Sequence, residues 1–443
     1  PTWSDIKEAN IPTSGTRYIT PTEYRTVELN ATPLLSALDQ APMEFTPQAT
    51  TKVVTIDLPL PDGTVEQFRI VESPIMEQPL QDQFPDIRTF YGTGITDPAK
   101  TVRFDFTPKG FHAMIMVVGE STIFIDPYSY GGGDVKHYIV YARKDFASSV
   151  TKDFECAVTS TGTTPTTSQP GKLSFNTCEL RVYRLALAAT GEYTTFHGGT
   201  VAGALAAQVT TMNRVNGIYE RDLAVRMDII ANNNLIIYTN AGSDPYTNNN
   251  GGTMLTENIN NLNTVIGNAN FDIGHVFSTG GGGIAGLGVV CTTSKARGVT
   301  GSGAPIGDPF DVDYVAHEMG HQFGANHTQN NACNRNNATA MEPGSASTIM
   351  GYAGICAPNV QSNSDDHFHG VNLLEIGNQL NSHSCPVTTA LANSSPTITG
   401  TNGNATVPAN TPFSLTAIAT DPDGDVLSYN WEQMNNQVST QPP

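Results

Sequence analysis

The stretch "VAHEMGHQFGANH" at residues 315–327 decides the fold of the segment around it. It contains three histidines, one glutamate and one glycine at fixed intervals: His317, Glu318, His321, Gly324 and His327. The spacing of four residues puts His317 and His321 on one face of a helix, so their imidazoles can share one cation. Glycine tolerates the left-handed conformation that ends helices, so Gly324 is expected to turn the chain and return His327 to the other two.

This arrangement of side chains indicates metal chemistry rather than a solvated helix end. Three neutral imidazoles around one ion leave a fourth position open for water, which is typical of catalytic zinc sites. Glu318 directly follows His317 in the sequence and can reach a water at that position. An inert, structural zinc is the alternative, and an adjacent base beside an unsaturated site argues against it.

Composition limits the class of protein. The chain has 443 residues, which favours two or three domains, and its net charge of -19 argues against nucleic acid or an anionic membrane as partner. No apolar run approaches the roughly 18 residues of a membrane helix. The chain begins at Pro1 rather than Met, so we expect that a signal peptide has been removed or left out.

Six cysteines without a CxxC pair indicate disulfides in an oxidising compartment. They are Cys156, Cys178, Cys291, Cys333, Cys356 and Cys385.

The pattern along the chain predicts four segments. Residues 1–156 alternate apolar and polar positions and read as a β-rich domain. Residues 157–177 are dominated by Thr, Ser, Pro and Gly, as in "AVTSTGTTPTTSQPGK", and predict an exposed linker where proteases cut. Residues 178–390 alternate strand and helix patterns, which predicts a sheet with packed helices. Residues 391–443 read as the first strands of an incomplete Ig-, PKD- or cadherin-like β-sandwich.

The motif H-E-M-G-H-Q-F-G-A-N-H resembles the long zinc signature of the metzincin metalloproteases. That family also has a methionine in a tight turn beneath the metal, and Met350 in "STIMGYAGIC" matches it. The strand and helix order from residue 180 is similar to the metzincin upper subdomain, so the resemblance covers about residues 180–385. It implies an α+β fold with a mostly parallel, twisted sheet, packed helices and a long active-site helix.

Within the metzincins, the segment is most similar to bacterial relatives of the reprolysins, which include snake-venom and ADAM-type enzymes. It departs from them at Thr328, where reprolysins usually have Asp. Tyr352 stands two residues after the methionine, where astacins and serralysins have a tyrosine that can approach the zinc. The resemblance implies that Tyr352 is a transition-state hydrogen-bond donor, and a buried tyrosine of the turn is the alternative.

The first domain is similar to the propeptide of such bacterial secreted proteases. The similarity lies in "FRIVESPIMEQPL", "RTFYGTGITDPAKTVRFDFTPKGFHAM" and "IDPYSYG". It implies an inhibitory and folding-assisting segment, so the chain is expected to be a zymogen.

By similarity to reprolysins, Cys291 is expected to pair with Cys385, and Cys333 with Cys356. Two alternatives remain for Cys156. It either forms a disulfide with Cys178 or places its thiolate on the zinc as an inhibitory switch, although the ADAM-type switch motif with its flanking Pro and Gly is absent.

The resemblance also implies an edge strand just before Cys291 that pairs with an extended substrate. It comprises Ala285, Gly286, Leu287 and Gly288. Two further groups are weaker candidates for ion binding. His367 and His369 are expected to be surface or capping residues. The acidic run at Asp421, Asp423 and Asp425 could bind Ca²⁺, although a β-turn needs no ion and is the favoured interpretation.

Together these features predict a secreted, zinc-dependent metalloendopeptidase with its inhibitory propeptide attached, Glu318 as general base and acid, protein or peptide substrates, and a monomeric state. The alternative is a cell-surface adhesion or binding module that retains a metalloprotease fold, which the intact Glu318 and the open fourth position count against. An enzyme that hydrolyses something other than protein is a third option, and the propeptide-like first domain disfavours it.

Overall fold

Alternating apolar and polar residues in the first third of the chain form a nine-stranded, wholly antiparallel sheet. The structure is a computed structural model that describes residues 1–146, 156–159, 178–403, 406–436 and 438. The strand order is β1-β2-β9-β8-β7-β6-β5-β4-β3. The strands are β1 Trp3–Asp5, β2 Arg25–Leu29, β3 Thr55–Pro59, β4 Val65–Glu72, β5 Arg88–Gly94, β6 Thr101–Thr107, β7 Gly110–Met116, β8 Ile123–Pro127 and β9 His137–Ala142. Strands β3 and β4 form an antiparallel hairpin.

Each face of this sheet packs against a different partner. Phe104 and Ile115 belong to a core that is confined to the first domain and that helix α1 (Ala31–Leu38) covers. Two further short helices of this domain are α2 (Pro47–Thr51) and α3 (Gln78–Gln83). Met114, Met116 and Phe124 belong to a second core that is shared with the rest of the chain. Successive side chains of a strand point to opposite faces, so one sheet can serve two cores.

A second, mixed sheet includes a strand at the start of the predicted linker. Its order is β10-β14-β15-β13-β11-β12, and β16 pairs antiparallel with the start of β11. Pairs β10·β14, β15·β13, β13·β11 and β11·β12 are parallel, whereas β14·β15 is antiparallel. The strands are β10 Cys156–Thr159, β11 Glu179–Ala189, β12 Val225–Ile229, β13 Ile273–Ser278, β14 Gly282–Gly286, β15 Gly298–Gly301 and β16 Val387–Ala390.

Helices flank this sheet in the order that the sequence pattern predicts. They are α4 Gly191–Phe196, α5 Val201–Leu223, α6 Gly251–Val265, α7 Asp308–Phe310, α8 His317–Gln322 and α9 Gly370–Leu380. The side chains of Thr200 and Asn250 accept hydrogen bonds from backbone amides in the first turns of α5 and α6, which fixes where these helices begin. The chain is thus a mixed α/β protein of sheets and helices.

The last segment contains a two-stranded antiparallel sheet, β17 (Thr397–Thr401) and β18 (Ala417–Thr420). Its apolar residues, including Ile398 and Phe413, are exposed. In the part of the chain that the structure describes, no helix is both long and apolar enough to cross a membrane.

Two disulfides join the pairs that the reprolysin resemblance implies. Cys291 is bonded to Cys385 across a separation of 94 residues, and Cys333 is bonded to Cys356 across 23. Cys156 and Cys178 are both free thiols, so they are not bonded to each other in this structure.

Candidate metal centre and active site

The helix that carries the H-E-M-G-H motif has three parts. It begins with α7, continues as a π-helical turn over Asp311–Ala316, and ends with α8. Asp311 and Asp313 lie within the π-helical turn, and their carboxylates pair with arginines. Gly307, at φ 72°, precedes the helix. Short π-helical turns of this kind inside a helix are often found at functional sites.

Gly324 has the left-handed conformation expected from the sequence, with φ 99°. The chain reverses there and brings His327 back to the helix. The Nε2 atoms of the three histidines lie 3.1 Å (His317 to His321), 3.2 Å (His317 to His327) and 3.0 Å (His321 to His327) apart. All three side chains are buried.

Backbone carbonyls fix the tautomer of each ring. The Nδ1 atoms of His317, His321 and His327 lie 2.7, 2.7 and 2.8 Å from the carbonyl oxygens of Ile349, Ala325 and Asn334. A carbonyl oxygen only accepts, so each Nδ1 carries the proton and each Nε2 presents a lone pair. Three lone pairs that meet at about 3 Å cannot hydrogen-bond to one another, so this site is built for a cation.

The thiol of Cys156 completes the cluster. Its Sγ lies 3.3 Å from His321 Nε2 and 3.4 Å from His327 Nε2. In a tetrahedral site with metal–nitrogen bonds of about 2.0–2.1 Å, neighbouring ligand nitrogens are roughly 3.3 Å apart, so the spacing fits zinc. The ligand atoms of these four residues lie within 4.8 Å of one another, and among the described residues this is the one group of three or more His, Cys, Asp or Glu that could hold a metal.

Burial keeps the ligands in the protonation states that a cation needs. Desolvation lowers the pKa of His317 to about 4 and that of His327 to about 3, and it lowers the pKa of His321 well below its usual value. The imidazoles are therefore neutral near pH 7. Burial raises the pKa of the Cys156 thiol well above its usual value, so a bound cation is what would favour the thiolate.

Glu318 lies beside this cluster in a fully buried position. Its two carboxylate oxygens have no hydrogen-bond partner of normal geometry. Desolvation raises the pKa of Glu318 to about 8, while the nearby thiol of Cys156 opposes that rise. A buried carboxylate without a good hydrogen-bond partner is costly, so its position beside three clustered histidines indicates a chemical role.

The glycine-rich strand β14 makes room for this carboxylate. A Cβ atom on Gly283 would lie 2.2 Å from Glu318 Oε1 and 2.5 Å from its Cγ. Cys156 is paired with Gly283 in the parallel register of β10 and β14. The first residues predicted for the linker, 157–159, thus form a strand along this edge, and residues 160–177 lie outside the described part of the chain.

The predicted substrate edge strand, residues 285–288, is a strand only in its first half. Ala285 and Gly286 lie in β14, whereas Leu287 and Gly288 follow it. The backbone amide of Gly288 donates to the carbonyl oxygen of His321 at 2.9 Å, which ties the segment after β14 to the end of α8. The strand that faces β10 is therefore Gly282–Gly286.

Met350 lies in a tight turn beneath the histidines. A Cβ atom on Gly320 would lie 2.5 Å from Met350 Sδ, so the turn packs directly on α8. The backbone amide of Gly351 donates to Thr348 at 2.9 Å and closes the turn. The residue before the methionine, Ile349, supplies the carbonyl that holds His317.

Tyr352 and Asn334 meet at the carbonyl oxygen of Cys156. The Tyr352 hydroxyl donates to this oxygen at 3.0 Å, and the Asn334 side-chain amide donates to it at 2.5 Å. Burial raises the pKa of Tyr352 far above its usual value, so the phenol stays protonated and can donate. The sequence alone does not single out Asn334, because nothing in its loop predicts which side chain faces the metal.

A second network, absent from the sequence analysis, holds the segment before the third histidine. The carboxylate of Glu375, on α9, accepts from the backbone amide of Asn326 at 2.9 Å and from its side-chain amide at 2.7 Å. Asn372 donates to the Asn326 carbonyl at 2.8 Å. Both backbone groups of the residue before His327 are therefore fixed by side chains nearly 50 positions away.

Buried arginines join the first domain to the active-site helix. Arg143, just after β9, donates to Asp308 at 3.0 Å and to Asp313 at 3.1 Å. Arg214, on α5, donates to Asp311 at 3.0 Å and to Asp126 of β8 at 2.6 Å. The helix that carries the histidines is thus held from the first domain by charged hydrogen bonds.

The remaining sequence candidates lie away from the cluster. His369 caps the start of α9 and His367 lies 3.3 Å from a carboxylate oxygen of Glu432, in agreement with surface or capping roles. Asp421 accepts from the backbone amides of Asp423 and Asp425, which forms the acidic turn, and nothing supports calcium there.

A comparison with protein families matches residues 179–380, a little less than half of the chain, to the family described as "Metallo-peptidase family M12B Reprolysin-like". The matched region begins at β11 and ends with α9, so it contains the three histidines, Glu318 and the turn at Met350. No curated protein matches the chain.

Proposed function

Given that residues 179–380 belong to the M12B reprolysin-like metallopeptidases and form a zinc metalloendopeptidase, we propose that the chain is the secreted zymogen of that enzyme. The observation that carries the proposal is the convergence of three Nε2 lone pairs, with the buried carboxylate of Glu318 beside them and the thiol of Cys156 against them. The residues fit zinc in number, type and spacing.

In this proposal His317, His321 and His327 hold the metal, and their backbone partners keep each ring in the correct tautomer. Zn²⁺ supplies Lewis acidity, which lowers the pKa of a bound water and polarises a carbonyl group. Glu318 takes a proton from the attacking water and passes it to the leaving amine. Its buried oxygens have no competing donor of normal geometry, which leaves them free for that proton.

Residues 1–159 keep the enzyme inactive in this proposal. The Cys156 thiol would serve with the three histidines as a ligand of the metal and so exclude the attacking water, and β10 covers the edge of β14 that would otherwise pair with a substrate. Backbone pairing at a sheet edge is a general way to bind extended peptides. Cleavage within residues 160–177 would separate this segment from the enzyme.

Secretion is supported by the two disulfides, since such bonds persist in oxidising compartments.

The test compares Glu318→Ala with the unchanged chain. Each is expressed, supplied with zinc, cleaved in the linker, and assayed for casein digestion with and without chelator. We expect the unchanged enzyme to digest casein only when zinc is present and only after cleavage. Glu318→Ala should bind one zinc and keep its fold while losing nearly all peptidase activity, a loss of at least about 1,000-fold.

Cys156→Ser is the matched test of inhibition. The uncut variant should digest casein without prior cleavage, whereas Cys178→Ser should remain inactive until cut, because Cys178 lies beside Ser395 and away from the cluster. Unaltered turnover in Glu318→Ala would refute the assigned base, and an inactive uncut Cys156→Ser with bound zinc would refute the thiol switch.

A further inference from the structure

The carbonyl oxygen of Cys156 is held by two side-chain donors at once. Asn334 Nδ2 lies 2.5 Å from it and Tyr352 Oη lies 3.0 Å from it. Asn334 Nδ2 also donates to Tyr352 Oη at 3.1 Å. One hydrogen of the Asn334 amide thus occupies a lone pair of the phenol oxygen, which directs the single phenol hydrogen to the carbonyl.

These donors lie at the reaction centre. The carbonyl belongs to Cys156, whose own sulfur lies 3.3 Å from His321 Nε2 and 3.4 Å from His327 Nε2. The ring of His327 is 4.7 Å from the ring of Tyr352. A peptide carbonyl that enters this corner is therefore flanked by the metal ligands on one side and by two neutral donors on the other.

The backbone holds Asn334 in a fixed relation to the metal ligands. Its own carbonyl oxygen accepts from His327 Nδ1 at 2.8 Å, so one residue both orients a ligand ring and presents a donor. Its φ of 46° is a left-handed conformation, which Asn tolerates better than most residues. The preceding residue, Cys333, is tied by its disulfide to Cys356 and by its carbonyl to Gln329.

We propose that Asn334 and Tyr352 form a two-donor pocket that receives the scissile carbonyl oxygen of a substrate and stabilises the negative charge that develops on it. In the uncut chain the same pocket is filled by the carbonyl of Cys156. The proposal rests on the peptidase function above and adds Asn334 as a catalytic residue. Donors that are already aligned before the reaction stabilise an oxyanion more than a ground-state carbonyl, because the charge is larger in the transition state.

The first test is the kinetics of the cleaved enzyme. Asn334→Ala and Tyr352→Phe should each lower kcat on a peptide substrate by about 10- to 1,000-fold with KM changed by less than about threefold, because the donors act on developing charge. The double variant should lose less than the product of the two single losses, since the donors share one oxygen. Asn337→Ala is the matched control, because Asn337 is also an exposed asparagine of this loop and makes no contact with Cys156.

The second test does not depend on turnover. In the uncut, zinc-loaded chain carrying Glu318→Ala, adding Asn334→Ala should increase the rate at which a thiol reagent labels Cys156 by about 3- to 10-fold, because one of the two bonds to its carbonyl is lost. Asn337→Ala should label at the original rate.

The outcomes separate the two proposals. An effect confined to KM, an unchanged kcat, unchanged labelling or loss of bound zinc in Asn334→Ala would overturn the two-donor pocket. Retained peptidase activity in Glu318→Ala alone would instead overturn the proposed function.

Discussion

The contact between Gly283 and Glu318 shows how little space the proposed base has. An added Cβ would come within 2.2 Å of Oε1, and pairing with β15 holds β14 in place on the enzyme side. We therefore expect Gly283→Ala to displace the carboxylate and to lower kcat of the cleaved enzyme by about 10- to 100-fold, since a misplacement of about 1 Å can cost that much. Steady-state kinetics on a peptide substrate measures the change.

The control for this prediction is Gly303→Ala, because an added Cβ there meets nothing within 4 Å. It should turn over at the original rate. If Gly283→Ala is as active as Gly303→Ala, then Glu318 is not confined by β14 as the geometry requires.

The carboxylate of Glu375 holds Asn326, the residue before the proposed ligand His327. It accepts hydrogen bonds from the backbone and side-chain amides of Asn326 and from the side-chain amide of Asn372, and burial raises its pKa. We expect Glu375→Ala to weaken zinc binding by about 10- to 100-fold, the usual cost of losing a residue that orients a ligand. Competition with a chromophoric chelator measures the affinity. Exposed Asn378 on the same helix supplies the control, Asn378→Ala, and equal zinc affinity in both variants would contradict the orienting role.

The sequence predicts the proposed metal ligands better than it predicts the residues that orient them. Histidine spacing and a turn glycine are local, so residues 317–327 could be interpreted from helix geometry alone. Glu375 and Asn334 contact residues that are distant in the sequence. A single sequence gives no signal for which distant group each side chain will bind. Asp311 and Asp313 illustrate the same limit, because only the tertiary fold brings buried arginines to their carboxylates.

Among the secondary-structure elements, hydrophobic periodicity predicted the alternation of strands and helices from β11 to β13 and the β-rich character of the first domain. It could not predict that β10 joins the second sheet, because the composition of residues 157–159 resembles the linker that follows. Pairing with β14 gives this segment its structure.

The two disulfides should differ in what they contribute to stability. The loop closed by Cys291 and Cys385 spans 94 residues, and the loop closed by Cys333 and Cys356 spans 23. Chain-entropy reasoning assigns about 4–5 kcal/mol to the longer loop and about 3–4 kcal/mol to the shorter one. Urea unfolding of Cys291→Ser/Cys385→Ser and Cys333→Ser/Cys356→Ser measures both losses. A larger loss from the second pair would mean that local order around Asn334, rather than loop length, dominates.

The link between β9 and the active-site helix depends on Arg143. Removing it leaves Asp308 and Asp313 buried without their guanidinium partner. We expect Arg143→Ala to lower the free energy of unfolding of the uncut chain by about 3–5 kcal/mol. The exposed neighbour Lys144 gives the matched control, Lys144→Ala, which should change stability by less than about 0.5 kcal/mol. Equal midpoints in urea would show that the buried pairs contribute nothing net.

At the scale of the whole molecule, the metal should be a stabilising ligand as well as a catalyst. The three histidine Nε2 lone pairs face one another and repel, so a cation bound between them stabilises the folded state. A ligand that binds only the folded state at about 1,000 times its Kd adds roughly 4 kcal/mol. Chelation of uncut Glu318→Ala should therefore lower its unfolding midpoint, and added zinc should restore it. The same experiment on Glu318→Ala/His321→Ala should give a much smaller difference, and identical midpoints with and without chelator in Glu318→Ala would contradict a tight site.

The pairing of β10 with β14 has a consequence for the proposed cleaved enzyme. When β10 leaves, the backbone amides and carbonyls along this edge of β14 lose their hydrogen-bond partners. Exposed sheet edges of this kind pair with neighbouring molecules and promote aggregation. Three of the five residues of β14 are glycines, which offer almost no side-chain surface for molecules to stack upon. The exposed edge of β14 can therefore pair with one extended peptide at a time. Its lack of side chains disfavours the stacking of enzyme copies into fibres.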